Sequence, residues 1–465
     1  MKTAKIRVRL EWIALASAML TLLIGIAYGF QHMIADAAKV RYFRLFTLPF
    51  AAVTLVLSWF VITQRPWRLG EPRVAFRLGF VLMAVSFLLT CYFNSIILAP
   101  FPWWLPGVGV PVVAYLIHGK FGPRRTNLVF LFGLLLVSSY FIVQVPNNAG
   151  GDMLEIIEFA ARDFLAGSNP FRPYLTVSGK EVPFAYWSGI WLPYVPFVAL
   201  GLDMRLLNLL AVVGLVLLFE KAAYKSGYAP LIASLTIYPF LLSPPVMKMI
   251  LLGHLWMYWL AACAAVLLIA RERHLVAAAL LGFCLASRPT ALFMVVPLAV
   301  YIWSRYGAGR TMHMAAVTLA VTLAFNLPFA IVYGKVFWDN SYGVLGRVSQ
   351  ELVHFSLAGY FKDAGLDFMN KPLQVVIMLA SMTIVILRKN MPVQHIIMLA
   401  GLTYIWMVLF NSYATRYVYF TGFLLIDLGL VLLMVNGYMD QDNKRITQAT
   451  PLKTNAADPI SDRTQ

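Results

Sequence analysis

Long stretches without one charged side chain recur along this chain, and few features constrain a fold more. They run over Trp12–Phe30, Leu45–Thr63, Leu78–Ala99, Asn127–Val145, Tyr228–Met247, Met249–Ala270, Thr311–Gly334, Pro372–Leu387 and Val393–Thr415. Most approach the ~20 residues that cross ~30 Å of hydrocarbon at 1.5 Å per residue. Hydrocarbon offers no water, so backbone groups must pair within the segment, and long unbroken apolar runs do so only as helices. Barrel strands are excluded as the spanning element, because they alternate polar and apolar residues in pieces of about ten. Composition agrees: of 465 residues 61% are hydrophobic and 12% charged, against about 25% charged in a soluble globule. Shorter apolar pieces lie at Trp103–Ile117, Trp187–Leu202, Leu206–Glu220, His274–Ser287, Pro289–Ser304 and Tyr417–Met439. The expectation is an all-α, polytopic transmembrane bundle of about 11–15 helices, some of them half-spans, with interfacial helices on external loops. The first run is too long for a cleaved signal peptide, and no small-residue cleavage site follows it. Cys91, Cys263 and Cys284 all fall inside apolar runs and suit packing, with neither a disulfide framework nor metal-ligand spacing.

Orientation follows from the basic loops, because Lys and Arg collect on the cytoplasmic side. Lys2, Lys5, Arg7 and Arg9 put the N-terminus inside. Arg65–Arg77, Lys120–Arg125, Arg271–Arg273, Arg305–Arg310, Arg388–Lys389 and the tail from Asp440 follow in phase. Residues 146–186 and 335–371 are then external. Two places resist. Lys39, Arg41 and Arg44 fall outside on this count. Lys221 and Lys225 look cytoplasmic, yet Trp187–Leu202 and Leu206–Glu220 both separate them from an external Asp152. Either one of those pieces is a half-span or the lysines are external.

The segment 146–186 is the most informative polar stretch. Asn147–Gly151 reads as a turn, with Asp152 placed to cap a helix through its carboxylate. That helix runs to about Leu165 and stops at Gly167, with Pro170 beyond. Asp152, Glu155, Phe159 and Arg162 share one face. Met153, Ile156, Ile157 and Ala160 suit the lipid interface, so the helix is expected to lie along the membrane surface. Residues 335–371 mix aromatics with Asp339, Arg347, Glu351 and His354, and an interfacial helix is expected around Val344–Leu357.

With these residues in view, the chain resembles a family. The run GGDMLEIIEFAARDFLAGSNPF (150–171), followed by PFAYWSGIWLPYVPF (183–197), is similar to the first external loop of the GT-C glycosyltransferases. The bacterial branch of polyprenol-phosphate-mannose-dependent mannosyltransferases is nearest. SPPVMKMILLGH (243–254), LLGFCLASRPTALFMVVPL (280–298) and NSYATRYVYF (411–420) follow in the same order, so the resemblance covers roughly 127–436. Two departures stand out. Five apolar runs precede the loop, where the family usually has one helix, which implies an N-terminal extension. Arg288 stands where relatives often carry Lys before Pro.

The resemblance implies three parts: N-terminal transmembrane helices (1–126), a catalytic transmembrane module (127–436, with external loops 146–186 and 335–371), and a polar cytoplasmic tail (437–465). It implies transfer of a sugar, mannose in the nearest branch, from a polyprenyl-phosphate donor to a glycan, lipid or protein acceptor on the outer face. The protein would be multi-pass in a bacterial plasma membrane, in contact with lipids and not with nucleic acid. No glycine-rich phosphate loop is visible, in keeping with a lipid-linked donor. Asp152 is the expected general base, and Glu155 on the same helix face is the other expected catalytic residue. Arg288, Arg416, His254 and Lys248 are the expected phosphate-binding groups. Tyr186, Trp187, Trp191 and Tyr194 could shape a sugar site. The second acidic residue of metal-dependent members has no clear counterpart, so no metal or other cofactor is expected. A polysaccharide polymerase or ligase would place several arginines in a late external loop, where 335–371 has only Arg347. A secondary transporter would show an internal repeat and midplane charges. No repeat is visible, although Asp427 lies deep in the last apolar run.

Overall fold

The computed structural model describes residues 8–9, 36–63, 67–68, 72–146, 153–177, 179, 181–223, 236–343, 356–411 and 416–449. Asp152, Lys225, the run Trp12–Phe30 and the helix expected around 344–357 with His354 lie outside the described residues. The protein is an all-α polytopic membrane protein. Among the described residues seven helices are long and apolar enough to cross a membrane, or eight if one bent pair counts as a span.

The first four helices are α1 (Asp36–Thr63), α2 (Pro72–Ile97), α3 (Trp104–Phe121) and α4 (Pro123–Gln144). Gly122, at φ +77°, turns α3 into α4, and Pro123 opens α4 where a missing N–H costs nothing. These helices pack against later parts of the chain. Phe50 of α1 packs edge-on against Tyr419 at 5.1 Å and Phe423 at 5.8 Å. The Trp406 indole donates to Ser58 Oγ at 3.0 Å. One continuous core cluster runs from Phe50 to Val435.

Helix α5 (Met153–Leu165) lies in the segment 146–186 and is followed by a hairpin pairing Tyr174–Leu175 with Glu181–Val182. Next comes a broken helix: α6 (Ser188–Trp191), a 3₁₀ turn (Leu192–Tyr194) and α7 (Val195–Ala199). Helix α8 (Arg205–Ala223) follows. The guanidinium of Arg205 donates to Ile142 O at 2.7 Å and to Val145 O, both at the C-terminal end of α4, and is ion-paired to Asp203. So α8 starts at the level where α4 ends. At its other end Arg271 donates to Lys221 O at 2.9 Å. Leu206–Glu220 is therefore the crossing piece and Trp187–Leu202 a half-span that returns to its own side. The conflict over Lys221 resolves in favour of the half-span.

After α9 (Ile237–Leu241), α10 (Pro244–Leu252) and α11 (Trp256–Ala270) form a pair bent by 114°. Helix α12 (His274–Ser287) leads through Arg288 into α13 (Leu292–Trp338), which breaks at Gly307 (φ +83°) and again at Gly334 (φ +48°). The part of α13 beyond Gly307 runs parallel to α12, joined by a ladder. Thr318 Oγ1 donates to Ala278 O at 3.0 Å, Thr322 Oγ1 to Gly282 O at 3.1 Å, and Asn326 Nδ2 to Ala286 O at 3.3 Å. Each rung links residues 40 apart in sequence, and the rungs recur every fourth residue, one helical turn. Helices α14 (Leu357–Asp363), α15 (Asn370–Leu387), α16 (Val393–Leu409) and α17 (Phe420–Ala449) complete the chain. The described parts of 335–371 are mostly helical: α13 continues to Trp338, a wide turn spans Asp339–Gly343, and α14 follows. Helix α17 runs on past 436 into the segment expected to be a tail. The three cysteines are buried and free.

Candidate functional site

Helix α5 starts and stops where its sequence sets it, and Gly167 adopts φ +71° beyond its end. Its apolar face is not laid on lipid as expected. Ile156, Ile157 and Ala160 are buried in the protein, because the broken helix of α6 and α7 folds back over them. Arg162 pairs along the helix with Glu158 at 2.5 Å. Glu155 is buried, and its Oε1 accepts the backbone N–H of Val177 at 2.9 Å, which clips the hairpin to α5. Beyond the helix, Asn169 Oδ1 accepts Phe171 N–H at 2.9 Å, closing the turn that opens the Asn–Pro–aromatic run. The buried Phe171 ring then meets Phe184, Trp191, Phe329 and Phe337 within 5.0–6.2 Å. Tyr333 donates to Ser168 O at 3.3 Å, and Asn340 Nδ2 donates to Phe171 O. The ends of both polar segments thus meet at one end of the bundle.

Arg288 forms the corner between α12 and α13. Its backbone leaves the helix at φ −149°, ψ 125°, and Pro289 restarts the chain as a 3₁₀ turn. The half-span is pressed onto this corner: a methyl group at Gly189 would lie 2.6 Å from Ser287 Oγ and 2.9 Å from the Ala286 carbonyl carbon. Asn326, the top rung of the ladder, accepts the Ser188 N–H at 3.2 Å. The Arg288 guanidinium lies over the Tyr417 ring, 5.6 Å from its centroid. The His254 ring lies 4.5 Å from that of Tyr186 and 6.4 Å from that of Tyr417. Arg288, His254, Tyr186 and Tyr417 therefore form one cluster, drawn from four places far apart in sequence.

The other expected residues divide. Lys248 is half-buried on α10, which packs against the 3₁₀ turn Arg416–Tyr419. Arg416 opens that turn, one residue before Tyr417, and only its backbone is described. Asp152 adjoins Met153 at the start of α5. Asp427 is buried in α17. Among the described residues no three His, Cys, Asp or Glu side chains are grouped to hold a metal ion. A cavity of about 360 Å³ opens near α5, lined by Glu158, Arg162, Leu202, Asp203 and Arg205. Arg205 and Asp203 there are already committed to each other and to α4. No family model, curated protein or solved structure matches this chain.

Sequence reasoning missed Tyr417 as the ring between guanidinium and imidazole, and Gly189 and Asn326 as the groups that seat the half-span. The four-residue spacing of Thr318, Thr322 and Asn326 in an apolar run was the available signal for the last.

Proposed function

We propose that the protein is a membrane glycosyltransferase of the GT-C type, working on the outer face of a bacterial plasma membrane. Its donor is a sugar, with mannose the first candidate, on a polyprenyl phosphate, and its acceptor is a glycan, lipid or protein hydroxyl. The observation that carries this reading is the cluster of Arg288, His254, Tyr186 and Tyr417 at the end of the bundle that also holds α5 and both polar segments. A cation framed by aromatic rings beside a membrane surface suits a sugar whose leaving group is a lipid phosphate.

In this mechanism the acceptor oxygen attacks the anomeric carbon as the bond from that carbon to the phosphate oxygen breaks. The electron pair leaves with the polyprenyl phosphate, whose growing charge the Arg288 guanidinium takes up through paired N–H groups. Lys248 and Arg416 are the nearby candidates to add charge. The acceptor proton passes to Asp152, the base just ahead of α5. Glu155, occupied with Val177, supports the loop in this scheme. Asp427 favours a second reading, a transporter, because a buried ionisable group within a span is functional by default.

The test is transfer of label from polyprenyl-phosphate sugars by purified protein. Asp152→Asn is expected to lower the rate ~10²–10⁴-fold, the usual worth of a general base. Arg288→Ala should weaken donor use sharply, and Arg288→Lys should keep part of it, since charge survives while the fork is lost. Full transfer by well-folded Asp152→Asn and Arg288→Ala proteins would sink the proposal.

A further inference from the structure

His254 occupies the non-helical break between α10 and α11, and that break is held from both sides. Asn208 Nδ2, from α8, donates to Ile250 O at 2.8 Å and Gly253 O at 2.9 Å. The Trp256 indole donates to Met249 O at 2.8 Å. Gly253 itself admits no side chain: a methyl group there would lie 2.6 Å from Met249 O. The frame thus spends buried donors on the carbonyls of the break and fixes the imidazole between Tyr186 and Tyr417. The ring is 1% exposed, and neither nitrogen has a hydrogen-bond partner among the described residues. Leaving a buried polar group unmatched costs about 1–3 kcal/mol. His274 and His395 are also buried with both nitrogens unpartnered, but His254 sits in the cluster with Arg288, Tyr186 and Tyr417, where an unmatched ring on so firm a frame suits a ligand.

The chemistry of the ring narrows that ligand. A neutral imidazole offers one N–H donor and one lone-pair acceptor. The anionic oxygens of a phosphate only accept, so phosphate would satisfy one nitrogen and leave the other bare. Sugar hydroxyls both donate and accept, and two of them satisfy both nitrogens. The flanking tyrosine rings suit the C–H face of a pyranose, while Arg288, all donors, suits the phosphate. We infer that His254 reads hydroxyl groups of the donor's sugar and, with Tyr186 and Tyr417, forms a pyranose subsite beside the phosphate subsite at Arg288. This inference rests on the glycosyltransferase reading above. It makes His254 a specificity-determining residue in place of the phosphate role expected from motif order.

Equilibrium binding to the full-length protein in lipid nanodiscs tests it without an acceptor. The probes are undecaprenyl phosphate and its mannosyl, glucosyl and galactosyl forms. The wild-type protein should bind at least one sugar-bearing lipid about tenfold more tightly than the bare phosphate, the worth of two modest hydrogen bonds. His254→Phe, which keeps the ring packing, should erase that margin and leave the bare lipid's affinity unchanged. His254→Gln, which keeps a donor and an acceptor, should restore part of it, and thermal melting checks that both variants fold. Equal binding of all four lipids by the wild type would overturn the inference. So would a His254→Phe protein that loses the bare lipid as well, which would return the ring to the phosphate. The underlying reading fails separately, if Arg288→Ala holds undecaprenyl phosphate as well as the wild type does, or if the wild type binds none of the four lipids.

Discussion

Asp163 shows how single side chains hold the external segment in shape. Its carboxylate accepts from Arg172 Nε at 2.6 Å and from the Tyr174 hydroxyl at 2.9 Å, and Arg172 covers the Tyr174 ring at 4.9 Å. The Arg172 hydrogen bond holds Asp163 below its ordinary carboxylate value, against the opposing pull of burial and with help from Tyr174. The folded group therefore loses its proton more readily than the unfolded one. Its stabilisation is fully present above the unfolded value of about 3.9 and fades as pH falls through the folded value. Amide exchange at residues 166–174 should accelerate below about pH 4 in the wild type. Asp163→Asn should exchange faster at neutral pH and lose that acid step; an unchanged step would assign it to another carboxylate. Residue types at this scale were legible: Arg288 and His254 stand out as polar groups in apolar surroundings. Their partners were not. Nothing in the spacing of residues 186, 254, 288 and 417 says that four distant segments bring their rings and cation together, because that depends on how whole helices pack.

Between helices, the close contacts are made by what is missing. A methyl group at Gly422 would lie 2.4 Å from Ile405 Cγ1 and 2.8 Å from Gly401 O, so α16 and α17 approach through two opposed glycines. In a membrane such approach is a main source of helix association. Gly422→Val should lower the melting temperature of detergent-solubilised protein, by an overpacking cost of about 1–3 kcal/mol. The ladder on α12 gives a graded series. The Thr322 hydroxyl shares its one proton between Gly282 O at 3.1 Å and Thr318 O of its own helix at 2.8 Å, so Thr322→Val removes at most one interhelical bond, worth about 0.6 kcal/mol in a membrane. Asn326→Leu also strips the buried Ser188 N–H of its acceptor, a further ~1–3 kcal/mol. Equal melting shifts for the two variants would deny Asn326 its hold on the half-span. The start and stop of α5 were legible because turn and stop residues act locally. What covers its apolar face was not, since periodicity marks the direction of a face and is silent on whether lipid or protein meets it.

For the whole molecule, the uncharged runs foretold most crossings, and Leu45–Thr63 recurs unchanged as a candidate span. Trp187–Leu202 stayed open in the sequence because a half-span and a full span can have the same apolar composition; only contacts at Arg205 and Arg271 tell them apart. Labelling with an impermeant thiol reagent in intact cells checks this, the native cysteines being buried. Val177→Cys and Leu202→Cys, both exposed, should react, while Arg273→Cys should react only after permeabilisation. Reaction of position 273 but not of position 202 in intact cells would make 187–202 a true crossing. The half-span also bears on how the protein is made. Its first backbone N–H waits for Asn326, 138 residues downstream. At ~5–20 residues per second the ribosome needs roughly 7–28 s to supply that acceptor. Through that interval the emerging segment lacks its lock, and until residues 286–288 are made it lacks the α12 corner as well, so a nascent chain stalled before residue 326 should be an early target for membrane quality control.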